Sequence, residues 1–313
     1  MARDGKFKVF AYIPSELSQT RPHIQMSSTP RLSIIITTWN TRELLREALL
    51  SILHQPPNIP YEIIVVDNAS EDGSAGMIAQ LFPTVRLIRN GRNEGYAKAN
   101  NQGVAVAQGE MLLLLGSDVR IIDESLQRMF DYLSSHSDVG AVSCRLLNPD
   151  RTVQQSCHRF PTVRDAALTY LSLHKLAGAY NIRNFNFYQT QEVDQPAATS
   201  LMIRKSVVNQ IGLFDERYTI LYNDVDLCKR IHDAGWKIVY LADAEVIHHG
   251  SQSTKRATPA VRLEMYRNIL VYYFRNTGAL AVVVLLPILA VRLAVVNKGK
   301  CVLGLFSLTY LTR

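Results

Sequence analysis

Unbroken apolar runs, not alternating ones, dominate the first 120 positions of this 313-residue chain. Arg31–Thr38 (RLSIIITT), Tyr61–Asp67 (YEIIVVD), Val85–Ile88 and Met111–Leu115 lack period-two alternation, the pattern of strands buried on both faces. Helical spacing fills the intervals. Leu44, Leu45, Ala48, Leu49 and Ile52 repeat through Thr41–His54, a short helix fits Met77–Phe82, and a small-residue helix fits Gly95–Ala107. This β-α-β-α-β-α-β order predicts an α/β fold with a doubly wound, mostly parallel sheet and right-handed crossovers. The sequence shows no internal repeat.

The second half is less regular. Residues 145–192 read as an insertion that shapes a partner pocket, with a helix over Val163–Leu176. Val193–Arg204 and Lys237–Leu241 read as strands and Asp224–Ala234 as a helix. Pro259–Asn276 reads as an amphipathic basic helix leading into an apolar tail. In that tail Thr277–Val296 is interrupted only by Pro287 and Arg292, and a second apolar run covers Cys301–Leu311. About twenty apolar residues can span a bilayer, but Arg292 would have to snorkel. An in-plane or re-entrant segment is therefore expected over a clean span, and Lys255, Arg256, Arg262, Arg267, Arg275, Lys298 and Lys300 suit an anionic leaflet. Residues 1–30, with Pro14, Pro22 and Pro30, read as a flexible extension, 31–258 as the folded domain and 259–313 as the basic helix and tail.

A net charge of +7 favours anionic partners such as nucleotide phosphates or a lipid surface. Nucleic acid is not expected, since no stretch interleaves basic and aromatic residues. Cys144, Cys157, Cys228 and Cys301 are too scattered for a disulfide framework or a zinc knuckle and fit a reducing cytosol. The amino terminus lacks the apolar core of a secretory signal.

Two buried strands each end in an acid: Asp67 after IIVV, and Asp118 after LLLL and the strand-breaking Gly116-Ser117. Ligands of open α/β sheets bind at that edge, where a carboxylate can hold a base, a ribose or a divalent metal. Asp118 equally fits a turn aspartate capping the next helix. Between the two acids, Asn93 to Gly103 (NEGYAKANNQG) places Gly95 at a helix start that favours phosphate, or that is merely glycine-capped. Its spacing fits neither a G-x-G-x-x-G fingerprint nor a P-loop.

On the later helix, Asp224 shares a face with Leu227, Cys228 and Ile231 and should point inward, where a raised pKa suits a general base. The alternative is a helix-start cap. Asp226 shares a face with Lys229, Arg230 and Asp233 and reads as a solvated ion-pairing stripe. His248-His249-Gly250, closing an apolar strand, offers a metal ligand or a structural histidine.

In order along the chain, SIIITTWNTRELL, EIIVVDNASEDGS, NEGYAKANNQG, LLLLGSD, GLFDERY, NDVDLCKRIHDAGW and VIHHGSQS resemble the family 2 glycosyltransferases of the GT-A fold, over roughly Leu32 to Ser253. The wording of VVDNAS, FDERY and DVDLC is most similar to the bacterial rhamnosyltransferase branch serving O-antigen, capsule or cell-wall assembly. The resemblance implies inverting transfer of a sugar, L-rhamnose from dTDP-rhamnose in that branch, to a lipid-linked or polysaccharide acceptor. It places the enzyme at the cytoplasmic face of the bacterial inner membrane, peripheral or monotopic, with Mg²⁺ or Mn²⁺ as cofactor. Residues 31–120 would form the nucleotide-binding half and 121–258 the acceptor-binding half. Thr38 and Asn40 would line the nucleotide, Asp67 would contact the base, and Asn93, Gly95 and Asn100 would border the donor. Asp118 would be the surviving metal acid, His248 (with His249 as fallback) the metal-side histidine, and Asp224 the base.

Three positions depart from the branch: Gly116-Ser117-Asp118 for Asn-Pro-Asp, Asn223-Asp224 for Glu-Asp, and Ala198-Thr199 for Gly-Ala. None removes a residue given a chemical role. A degenerate nucleotide-sugar-binding scaffold subunit and a nucleotidyltransferase are the competing readings. The absence of a basic glycine-rich loop near the first strand argues against the second.

Overall fold

The structure, a computed structural model, describes residues 29–173, 185–218, 221–250, 258–296 and 305–306. Most of the amino-terminal extension, the end of the helix expected to reach Leu176, and most of the run Cys301–Leu311 lie outside them. The first half alternates β1 (Leu32–Thr38), α1 (Arg42–His54), β2 (Tyr61–Asp67), α2 (Ser74–Leu81), β3 (Arg86–Arg89), α3 (Tyr96–Val106) and β4 (Met111–Gly116). Then come β5 (Val119–Ile121), α4 (Ser125–Ser135), β6 (Val139–Leu147), β7 (Cys157–His158), α5 (Val163–Tyr170), β8 (Gln191–Glu192) and β9 (Gln195–Pro196). The chain continues through β10 (Ser200–Arg204), α6 (Lys205–Ile211), α7 (Asn223–Asp233), β11 (Lys237–His248), α8 (Pro259–Thr277) and α9 (Ala279–Val296).

The central sheet runs β3-β2-β1-β4-β10-β6-β11-β5. Its first four strands are mutually parallel, as unbroken β-branched and leucine runs require, and β6 and β11 are parallel too. β10 is inserted antiparallel between β4 and β6, and β5 pairs antiparallel with β11. Ile34, Ile36 and Leu113 pack against α1, α2 and α4 on one face, while Ile35, Ile64 and Leu114 meet residues of α3, α6 and α7 on the other. The small residues of α3 permit its close approach: a Cβ on Gly103 would stand 2.5 Å from Ile35 Cγ2.

The register fixes the sheet edge. Thr38 is level with Asp67, and Thr37 is level with Gly116, so three strand ends finish side by side. Elsewhere the structure refines the expected elements. Val193–Arg204 is two strands, because the turn at Ala197–Thr199 separates β9 from β10. β11 continues past Leu241 to His248 through a register shift between Leu241 and Glu245.

The tail helices form a hairpin on the domain. Thr258 caps α8, accepting from Val261 N–H at 3.3 Å, Pro259 opens it, and Gly278 turns the chain into α9. From Asn268 to Tyr273 α8 is buried on every side, so it is a core helix over that stretch, not a solvated amphipathic one. Ala281, Val282, Leu285, Leu289, Ala290 and Leu293 of α9 are buried in a cluster with α5 and α8. The opposite stripe, Leu280, Val283, Val291 and Val295, is 66–75% exposed. Arg292 turns to the protein side, where its Nη1 donates to Ser172 Oγ at 3.2 Å.

Candidate active site

At the carboxyl edge a chain of hydroxyls joins separate loops. Thr38 Oγ1 lies 2.9 Å from Thr41 Oγ1, which lies 2.8 Å from Ser117 Oγ in the turn before Asp118. Asn40, in the left-handed region at φ 54°, braces the loop after β2: its N–H donates to Ser70 Oγ at 3.0 Å and its Oδ1 accepts from Glu71 N–H at 2.8 Å. Asp67 is buried, with Oδ1 accepting from Ser70 N–H at 3.2 Å.

The centre of this edge is Asn68, whose importance the sequence reading missed. Its Nδ2 donates to Asn93 Oδ1 at 2.8 Å, and its Oδ1 accepts from Asn90 Nδ2 at 3.0 Å and from Glu94 N–H at 2.9 Å. These bonds staple the loop that enters α3 over the end of β2. Gly95 starts that helix at φ 85° and ψ 167°, a backbone state reserved for glycine, and donates to Asn93 Oδ1 at 2.9 Å. Asn93 and Gly95 therefore stand at the edge. Asn100 does not: it is buried and its Nδ2 donates to Tyr96 O of its own helix at 2.9 Å.

Asp118 occupies the turn from β4 to β5. A Cβ on Gly116 would sit 2.8 Å from Asp118 Oδ1, so the small residue before it lets this carboxylate fold back over the strand. β5 pairs with β11 so that Val119 faces His248, and His249 N–H donates to Asp118 O at 3.0 Å. That pairing sets His248 Nε2 3.4 Å from Asp118 Oδ2. Gln154 orients the ring. Its Nε2 donates to His248 O at 2.8 Å and to Asn148 Oδ1 at 2.7 Å, which leaves its Oε1 to face His248 Nδ1 at 2.8 Å. Gln154 Oε1 can accept a proton carried on Nδ1, and Nε2 is the ring nitrogen turned toward Asp118, the orientation in which a histidine can ligate a metal. His249 turns instead to Glu47, at 3.8 Å.

The described residues hold no cluster of three or more histidine, cysteine, aspartate or glutamate side chains able to bind a metal. Asp118 and His248 would supply two donors, and a hard carboxylate with an imidazole fits Mg²⁺ or Mn²⁺ if oxygens of a bound anion complete the shell.

Across the edge, α7 presents Asp224 in its first turn. Leu221 and Tyr222 precede it at φ 60° and 64°. Two consecutive left-handed residues with bulky side chains cost on the order of 1 kcal/mol each or more, so neighbouring structure must hold them. Asp224 is half-buried and lines a cavity of about 280 Å³ with His158, Asp165, Tyr170, Gln195 and Tyr273. Burial pushes its carboxyl pKa up, against the pull of the Val225 and Ala198 backbone donors. Asn223 is buried and donates to Tyr218 O at 3.0 Å, so the residue before the acid braces the loop.

Asp226 corrects the sequence reading. It pairs with Arg230 at 2.7 Å as its spacing implies, yet its side chain is only 5% exposed, because α8 brings Arg275 to within 3.7 Å on the side taken for solvent.

Tyr96, also missed, links the two sides. Its hydroxyl donates to Ala198 O at 3.4 Å, and although the residue is 37% exposed, loss of water around that hydroxyl first, then the charges of Asp224 and Asp118, push its pKa up. The Ala198–Thr199 turn reaches back as well, with Gly116 N–H donating to Thr199 O at 2.9 Å.

A parallel nucleotide half, an antiparallel insertion and acids at one edge define the GT-A glycosyltransferase fold. The mannosyltransferase PcManGT from Pyrobaculum calidifontis, solved in complex with GDP-Man and Mn²⁺, matches with a TM-score of 0.53 at 18% identity, covering 90% of this chain and 79% of that one. The family model described as Glycosyl transferase family 2 matches residues 33–211, and the chain belongs to that family. The N-acetylglucosaminyl-diphospho-decaprenol L-rhamnosyltransferase of Mycobacterium tuberculosis is 30% identical over 249 residues, 73% of this chain and 79% of that protein. The O-antigen biosynthesis protein RfbC of Myxococcus xanthus is 27% identical over 239 residues, 76% of this chain and 19% of that protein. The protein is a glycosyltransferase of glycan synthesis.

Proposed function

We propose that this enzyme transfers L-rhamnose from dTDP-rhamnose, with inversion, to a lipid-linked or polysaccharide acceptor during cell-envelope glycan synthesis. The observation that carries the reading is the opposition of two carboxylate sites, Asp118 with His248 on one side and the cavity-facing Asp224 on the other, with Tyr96 between them. Relatives named as a rhamnosyltransferase and an O-antigen biosynthesis protein support the donor class and the setting.

In this reading Thr38, Asn40 and Asp67 bind the nucleotide, and Asn93 and Gly95 border the diphosphate at the start of α3, where helix N–H groups favour anions. Asn100 acts from beneath, holding Tyr96 O and the first turn of α3. Asp118 and His248 would hold a divalent ion, Mg²⁺ or Mn²⁺, which when bound would supply positive charge to the departing diphosphate. Asp224 accepts the proton of an acceptor hydroxyl in the cavity as that oxygen attacks the anomeric carbon from the face opposite the diphosphate. One carbon–oxygen bond forms, the bond to phosphate breaks, and configuration inverts. The raised pKa of Asp224 makes it a stronger proton acceptor than an exposed carboxylate. Residues 31–120 serve as the donor half and 121–258 as the acceptor half.

The exposed apolar stripe of α9 supports peripheral or monotopic attachment at the cytoplasmic face of the inner membrane. Calorimetry across dTDP-, UDP- and GDP-sugars with Mg²⁺ or Mn²⁺ tests the donor. Preference for dTDP-rhamnose is expected, and a strong UDP-hexose preference overturns the branch assignment. Asp224→Asn should abolish transfer while leaving donor binding largely intact.

A further inference from the structure

The segment that delivers Asp224 is held from outside the glycosyltransferase core. Leu221 and Tyr222, both in the left-handed region, lead directly into α7, and α8 fastens this stretch at three points. Near its middle, Asn268 Nδ2 donates to Leu221 O at 3.5 Å. One turn further on, the Tyr272 ring packs on Tyr222 with centroids 5.2 Å apart. In its last turn, Arg275 reaches two carboxylates at once. It pairs with Asp215 of the GLFDERY segment, and its Nη1 lies 3.7 Å from Asp226 Oδ1, two residues beyond the base.

Both acids have a second cationic partner. Asp215 is held by Arg217 at 2.6 Å, and Asp226 by Arg230 at 2.7 Å. Arg230 in turn donates to Ile211 O at 2.9 Å and Gly212 O at 3.1 Å. Arg230 thus ties α7 to the start of the GLFDERY segment from within the core, and Arg275 adds a second tie from α8, between Asp215 and Asp226. The carrier helix of Arg275 turns into α9, with the exposed apolar stripe, three residues later.

A helix whose only task was to cover the domain would meet α7 through apolar side chains. Here the apolar contact through Val225 and Tyr222 is joined by polar bonds on both sides of the base, Asn268 to Leu221 O before it and the forked Arg275 to Asp226 after it. We propose that α8 is a buttress for the catalytic loop and that Arg275 is a positioning residue for Asp224, setting where its carboxylate stands in the acceptor cavity. The seating of the tail hairpin and the rate of transfer are thereby coupled. The inference rests on Asp224 being the base. Misplacing a reacting group by about 1 Å can cost on the order of 100-fold in rate. Donor affinity should be spared, because the donor-side residues lie on β1, β2 and the start of α3.

The test uses the full chain, with Arg275→Gln, Arg275→Lys, Asp226→Asn and Asp224→Asn measured alike for kcat, for Mn²⁺-dependent affinity of the donor found by the screen, and for Tm. Arg275→Gln is expected to lower kcat at least tenfold with donor affinity within twofold. Arg275→Lys, which keeps the charge, should stay within about threefold of the parent, where Gln does not. Should Arg275→Gln melt below the assay temperature, the isosteric Asp226→Asn carries the test, with a several-fold loss of kcat and the same unchanged donor affinity. An Arg275→Gln protein, or that substitute, turning over at the parent rate well below its Tm overturns the proposal. So does a donor affinity that falls in step with kcat, or a lysine variant as slow as the glutamine one. Full turnover by Asp224→Asn overturns the base assignment and this inference with it. Loss in Asp224→Asn alone, beside an unaffected Arg275→Gln, refutes only the buttress.

Discussion

Replacing Gly116 with alanine should separate metal-dependent donor binding from stability. The added Cβ would stand 2.8 Å from Asp118 Oδ1, where ordinary contact begins at 3.4 Å, so the oxygen must retreat by about 0.6 Å. It can do so cheaply, being the tip of a short side chain that rotates about χ1. The next neighbours are Val119 Cγ2 at 3.2 Å and Thr199 Cγ2 at 3.6 Å, the first slightly tight and the second ordinary. Against that small crowding, alanine gains about 0.4–1 kcal/mol by restricting the unfolded chain, so net stability should change by less than about 1 kcal/mol. Metal binding has no such slack. Ligand oxygens of Mg²⁺ sit at about 2.0–2.1 Å in near-ideal geometry, and disturbing a ligand's support typically costs about 10–100-fold in affinity. That corresponds to about 1.4–2.7 kcal/mol. Calorimetry of the nucleotide donor with and without Mn²⁺, beside a thermal melt, reads both quantities. An unchanged Mn²⁺-dependent affinity refutes the placement of Asp118 as a ligand, and an affinity loss matched by a large drop in Tm refutes the geometric reasoning.

Other substitutions probe the remaining parts. Asp224→Asn should raise stability at neutral pH, because burial raises the folded-state pKa of this carboxyl. The advantage over the parent should vanish below the ordinary carboxylate pKa, grow as pH rises toward the raised folded value, and stay constant above it; paired melts across pH check the sign. Asn68→Ala removes four side-chain hydrogen bonds, to Asn90, Asn93, Glu94 and Gly95, and should cost about 2–4 kcal/mol in denaturant unfolding while weakening donor binding. Val283→Asp with Val291→Asp, at positions 68% and 66% exposed, should leave Tm almost unchanged but sharply reduce co-sedimentation with anionic phospholipid vesicles. Undiminished sedimentation would remove α9 from the membrane contact.

The half of the sheet proposed to bind the donor was legible because its signals are local. Strands buried on both faces announce themselves as runs such as IIVVD and LLLL, and the residue at the end of each run falls at the ligand edge whatever the tertiary detail. The rest depends on pairings far apart in sequence. Asn68 looks like an ordinary turn residue until the loop after β3 folds back on it. Gln154 lies in a stretch without periodicity, and the pairing of β6 with β11, with the chain doubling back on Leu147 at Val153, brings His248 to it. β6 went unread because Gly140, Ser143 and Cys144 dilute its apolar pattern, although the strand is buried almost throughout. For Asp226, helical spacing correctly named Arg230 as partner, but spacing cannot show that a helix beginning 33 residues later covers the same face.

This asymmetry follows from how the sheet divides the labour. β1, β2 and β4 end side by side, and the loops after β1 and β4 meet through Thr41 Oγ1 and Ser117 Oγ. Such an edge follows from strand order alone, and the residues that line it need only sit at strand ends. The acceptor side has no such shortcut. Asp224 rises from a loop whose backbone is unfavourable in isolation, and its cavity is closed by Tyr170 of α5 and Tyr273 of α8, outside the sheet. Tyr273 is fully buried, with its hydroxyl donating to Thr162 O at 3.0 Å, so the wall is fixed to the capping residue of α5. A site assembled this way is as specific as the hairpin that supports it. Variation in α5, α8 and α9 can therefore change the acceptor while the sheet edge and its acids stay as they are.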